Sequence, residues 1–84
     1  MVKPSKIYQL LLESRSSVPF RDFQRVLKVF GFTLDRINGS HHIYMHPAVP
    51  RPLSIQPHGN EVKAYQRDQF LRMVEEFGIK IAKT

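Results

Sequence analysis

The dipeptide Asn38-Gly39 lies between two stretches that alternate apolar and polar residues, one running from Phe32 to Ile37 and one from His41 to His46. A two-residue type I′ turn needs positive φ at both central positions, and Asn and Gly tolerate it best. The pattern predicts a β-hairpin with strands over about 32–37 and 41–46 and with Ile37 facing Ser40. In that register Arg36 sits opposite His41, Asp35 opposite His42, Leu34 opposite Ile43, Thr33 opposite Tyr44 and Phe32 opposite Met45. Side chains alternate with period two, so Phe32, Leu34, Ile43 and Met45 share an apolar face, with the Arg36/His41 pair at its turn end. Thr33, Asp35, His42 and Tyr44 belong to the other face, expected to be open.

Helical patterns flank the hairpin. Residues 5 to about 13 read as a short helix, with Ser5 as N-cap and Ile7, Leu10 and Leu11 at helical spacing. Pro19 suits the first turn of a second helix, in which Phe20, Phe23, Val26, Leu27 and Phe30 form the apolar stripe and Gly31 the stop. The prolines Pro47, Pro50 and Pro52 predict an irregular connector over 47–52, since proline does not fit a central strand. Leu53-Ser54-Ile55-Gln56 then alternates as a third strand. A last helix over about 62–77, capped by Asn60, carries Phe70, Met73, Val74 and Phe77 on its inner face and ends at Gly78. The predicted order is α-α-β-β-β-α, an α+β two-layer domain whose three-stranded antiparallel sheet has helices on one face.

At 84 residues the chain makes a single domain over 1–84. The absence of cysteine removes a disulfide framework and thiolate metal ligands. No apolar run reaches membrane-spanning length and no small-residue cleavage site follows Met1, so the expected location is the cytoplasm, without a membrane partner. A net charge of +6 suggests an anionic partner, nucleic acid first and an acidic protein second. The excess is concentrated early, where Lys3, Lys6, Arg15, Arg21, Arg25 and Lys28 outnumber Glu13 and Asp22.

Within this frame His41 is the first candidate for chemistry. A cation beside an imidazole disfavours its protonated form, so Arg36 across the strand would keep His41 available as a base. An ordinary half-exposed strand histidine is the competing reading. The histidines His41, His42, His46 and His58 also raise a metal site, but His42 and His46 share one strand face while His41 points to the other, so no metal or other cofactor is expected. His42, Tyr44 and His46 form an aromatic stripe on which bases can stack, or ordinary strand composition. Lys63 and Arg67 oppose the macrodipole at the start of the last helix, a placement that suits a grip on phosphate. Arg72 is structural by its spacing from Asp68 and Glu76.

Gly31-Phe32, the run Gly39-Ser40-His41-His42-Ile43-Tyr44 followed by His46-Pro47, then Ile55-Gln56-Pro57 and Phe77-Gly78-Ile79 together resemble the HicA family of toxin mRNA interferases. The similar core spans about residues 19–79, and the leading helix over 5–14 resembles a longer subgroup. The resemblance implies a double-stranded-RNA-binding-domain-like fold, metal-independent cleavage of RNA, and a HicB-like antitoxin that masks the site. It places the catalytic histidine on His41 and the turn on Gly39 and Ser40. In the segment from Gln56 to Glu61 the chain is less basic than many members of the family.

These readings converge on an endoribonuclease acting on mRNA. His41 would serve as general base on the ribose 2′-OH, with Arg36, His42, Tyr44, Lys63 and Arg67 as RNA contacts. The alternative is a non-catalytic RNA-binding module using the same basic face, and a weaker third is a basic protein-interaction domain.

Overall fold

The structure, a computed structural model, describes residues 8, 9 and 17–81. The leading helix expected over 5–14 lies outside these residues except for Tyr8 and Gln9, both helical. The described chain runs β1 (Val18–Pro19), α1 (Phe20–Val29), β2 (Thr33–Asn38), β3 (His41–His46), β4 (Val49–Ile55), β5 (Glu61–Val62) and α2 (Ala64–Phe77). Strands β2, β3 and β4 form an antiparallel meander in that order, and β1 pairs with β5. The fold is thus α+β, a three-stranded antiparallel sheet with two helices, one before the three strands and one after.

The stripe on α1 behaves as its spacing predicts: Phe23, Val26, Leu27 and Phe30 are buried. The helix stops in a Schellman arrangement. The Gly31 N–H donates to the Lys28 carbonyl at 3.1 Å and the Phe32 N–H to the Leu27 carbonyl at 3.0 Å. Gly31 takes φ +91°, and a Cβ there would stand 3.0 Å from Nε2 of His46. That imidazole ties the turn to the sheet. Its Nδ1 accepts the Ala48 N–H at 2.9 Å, so Nε2 carries the proton and donates to the Phe30 carbonyl at 2.9 Å.

Strand β1 and its partner β5 are elements the periodicity did not announce. Val18 pairs with Val62, Ser17 Oγ donates to Glu61 at 2.6 Å, and the Phe20 N–H donates to the Asn60 carbonyl at 2.7 Å. Asn60 therefore holds the start of α1 and does not cap α2, whose N-cap is Lys63. Pro50 and Pro52 lie inside β4, contrary to the expected connector over 47–52. They are admitted because β4 is an edge strand and both fall in the irregular stretch of its pairing with β3, between the Val49 and Leu53 partners.

The hairpin turn differs from expectation by one residue. Asn38 pairs with His41, Ile37 with His42, Arg36 with Ile43, Leu34 with Tyr44 and Thr33 with Met45, with a bulge between Leu34 and Arg36. The two loop residues are Gly39 and Ser40. Only Gly39 has positive φ, +64°, the pattern of a type II′ turn with glycine at its first central position. The slip removes Arg36 from opposite His41.

The buried face of the sheet is also the reverse of the expected one. Tyr44, Leu53 and Ile55 are buried beneath the helices, whereas Leu34 is 46% and Met45 37% exposed. Tyr44 faces Leu53 and His42 faces Ile55, so two fully buried aliphatic residues of β4 decide which side of β3 turns inward. The rings of Tyr44 and His46 can follow because their polar atoms find partners: Tyr44 OH accepts from Gln24 Nε2 at 3.1 Å, and His46 joins Phe30 and Ala48. His42, Tyr44 and His46 are core-facing and do not form an open stacking stripe.

Two stability measurements test these contacts. Gly31→Ala should cost more than about 1–2 kcal/mol in urea denaturation, the ordinary price of left-handed backbone, and more than Gly39→Ala, whose Cβ would meet nothing within 4 Å. Tyr44→Phe should cost about 1 kcal/mol by stranding Gln24, read as a lowered unfolding midpoint.

Candidate active site

The face of the sheet that the described helices leave uncovered is laid out by the register. Arg36 and Asn38 come from β2, His41, Ile43 and Met45 from β3, and Ser54 from β4, opposite Ile43. His41 opens β3 directly after the turn, so the positive φ of Gly39 determines where its ring stands. The ring is exposed, and its Nδ1 lies 3.2 Å from Ser54 Oγ. Bonded this way Nδ1 is engaged by the protein, leaving Nε2 as the nitrogen open to a substrate.

Ser54 is the residue that sequence reasoning missed. The alternation of Leu53, Ser54 and Ile55 already put Ser54 on the face opposite two apolar neighbours. What was lacking was the β3–β4 register, which sets Ser54 opposite Ile43 and within reach of His41.

The other expected site residues separate. Arg36 stays on the face of His41 but faces Ile43, and its guanidinium pairs with Asp35, the two side chains being 66% and 45% exposed. An ion pair so wet is weak and can yield to a phosphate. Because Arg36 faces Ile43, it does not act on His41 from directly across the strand as the Asn-Gly register implied. Ser40 occupies the second loop position beside Gly39.

His42 packs its ring edge-on against Phe20 at 4.9 Å, and its Nδ1 is buried with no hydrogen-bond partner among the described residues. Lys63 is exposed at the N-cap of α2. Arg67, expected to grip phosphate, is instead only 5% exposed, with its guanidinium 3.4 Å from Asp68. Arg72 does not hold the partners its spacing suggested, because Asp68 goes to Arg67 and Glu76 to Arg51 at 3.0 Å. The guanidinium of Arg51 also lies 5.2 Å from the centre of the Phe77 ring.

Two of the sequence motifs acquire structural tasks. His46 joins the end of α1 to the sheet, as described above. Gln56 is fastened to α2, its N–H donating to Gln66 Oε1 at 3.2 Å while Gln66 Nε2 donates to the Tyr65 hydroxyl at 3.1 Å. Among the described residues no three His, Asp or Glu side chains converge on one point. No helix of the described residues is long and apolar enough to cross a membrane.

Comparison with protein-family models matches residues 20–81 to the family described as HicA toxin of bacterial toxin-antitoxin. Neither the comparison with curated proteins nor that with solved structures gives a match. The match runs from the first residue of α1 to the end of the described chain, taking in the glycine turn, His41, Ser54 and both helices. A toxin of this kind is one half of a pair, so an antitoxin partner comes with the assignment, and the chain belongs to the HicA toxin family of bacterial toxin–antitoxin systems.

Proposed function

We propose that the chain is a toxin endoribonuclease that cleaves mRNA in the cytoplasm without a metal ion, with His41 as general base. The observation that carries this reading is the exposed imidazole at the start of β3, held through Nδ1 by Ser54 at 3.2 Å on the helix-free face of the sheet. When Nδ1–H donates to Ser54 Oγ, Nε2 presents its lone pair outward. That nitrogen takes the proton of a ribose 2′-OH. The 2′-oxygen attacks the adjacent phosphorus, the bond from phosphorus to the 5′-oxygen breaks, and the leaving oxygen takes a proton from water, since His42 lies on the core side of the sheet against Phe20. The products are a 2′,3′-cyclic phosphate and a 5′-OH.

Arg36, on the same face, exchanges Asp35 for the phosphate whose charge grows during attack. Lys63, exposed at the start of α2, is the second cation we assign to the RNA backbone. The helix-strand-strand-strand-helix order supports a double-stranded-RNA-binding-domain-like architecture. Its helix-free face then meets RNA chiefly through phosphates and 2′-hydroxyls. A HicB-like antitoxin would silence the protein by covering His41.

Purified protein incubated with RNA in EDTA should yield product, and His41→Ala should lower the cleavage rate by about 10²–10⁴-fold while leaving the folded state intact. A stable RNA complex with no product would instead favour the non-catalytic binding module, and a folded, fully active His41→Ala variant would remove His41 from the mechanism. Ser54→Ala should slow cleavage by about two- to tenfold, the worth of one hydrogen bond, with Ser54→Thr restoring part of the loss in the same assay.

A further inference from the structure

The two outer edges of the main sheet are chemically unlike. On β4, Pro50 and Pro52 leave the edge strand without two backbone donors, in a stretch where its pairing is irregular. On β2 all six residues are exposed and none is proline. Among the described residues no strand lies on its outer side. This strand also carries two large exposed apolar side chains, Leu34 at 46% and Ile37 at 55% exposure. An open edge with apolar side chains is a template for a further strand.

We propose that the outer edge of β2 pairs antiparallel with β2 of a second copy of this chain, about a two-fold axis passing between Asp35 and Arg36. The strand is complementary to itself about that point. Asp35 meets the partner's Arg36, Leu34 meets the partner's Ile37, and Thr33 meets the partner's Asn38, each contact occurring twice. Opposite charges and apolar pairs directly across an antiparallel ladder are the favourable cross-strand combinations.

The faces agree with this pairing. Leu34 and Ile37 lie on the helix side through Tyr44 and His42, while Arg36 lies on the open side through Ile43. Apolar therefore meets apolar on one face and charge meets charge on the other. The bulge between Leu34 and Arg36 would mismatch a regular strand, but two copies bring it at equal distance from the axis, so residues 34–37 meet 34–37.

An acidic segment of another protein fits this edge less well, since Asp35 stands at its centre. The dimer would be a six-stranded sheet with both His41 side chains on one face, their strands about 14 Å apart across the sheet.

One strand pair buries little area, so the association is transient and is read by sedimentation equilibrium of the full chain up to about millimolar concentration. Ionic strength is held near 0.15 M, where the Debye length of about 8 Å screens the net positive charges of the two chains from each other. The wild-type chain should dimerise. Asp35→Arg alone and Arg36→Asp alone each set like charges opposite one another and should weaken the dimer about tenfold or more. The double variant Asp35→Arg/Arg36→Asp should dimerise again, and an equimolar mixture of the two single variants should form heterodimers. That recovery cannot come from misfolded chains.

A wild-type chain that stays monomeric throughout overturns the proposal, including the case in which only an antitoxin segment adds to β2. So does association unchanged by both single substitutions, or a folded double variant and a mixture that both fail to associate.

Discussion

The ring of Phe70 is the point at which the elements of this small domain meet. It sits in α2 with no exposure, edge-on to Phe23 at 5.3 Å and to Phe30 at 5.5 Å. Phe32 lies 5.9 Å away and Tyr8 6.4 Å away. One side chain thus binds the two helices to each other, to the turn that closes α1, to the residue that leads into β2 and to the leading segment. Aromatic pairs of this kind add about 0.5–1.5 kcal/mol each beyond the area they bury. Against the marginal total of a domain this size, such a cluster is the main reason the sheet has a fixed platform beneath it.

Much of this was legible in the residues. The apolar stripe of α1, the glycine stops at 31 and 78, and the α+β class with its three-stranded meander all follow from periods of 3.6 and 2 interrupted by Gly and Pro. What escaped is instructive. Asn-Gly and Gly-Ser are both good hairpin loops, and the choice between them depends on which residues of β3 must face β4, a partner more than ten positions away. Once Leu53 and Ile55 occupy the core, Tyr44 and His42 opposite them must turn inward. A pattern counted within one strand cannot contain that information. The prolines misled for a related reason, because their cost depends on whether a strand is central or at an edge.

The candidate site shows the same division. Gly39, Ser40 and His41 could be singled out from local sequence, since turn chemistry and an adjacent imidazole are neighbours in the chain. Ser54 becomes visible only when β4 lies beside β3. The three histidines of β3 then have separate occupations: His41 is exposed with Ser54, His42 lies against Phe20, and His46 joins a backbone carbonyl to a backbone amide. Arg67, whose charge looked functional in the sequence, is buried in the first turn of α2 beside a half-exposed Asp68. Charge on a helix does not announce its depth.

Pro50 and Pro52 have a consequence for growth as well as for topology. A sheet with two receptive edges adds copies without end and becomes a fibre, whereas one with a single receptive edge is finished when that edge is filled. By blunting β4, the two prolines let this chain carry a β2 edge that is uncapped among the described residues without risking polymerisation through its sheet.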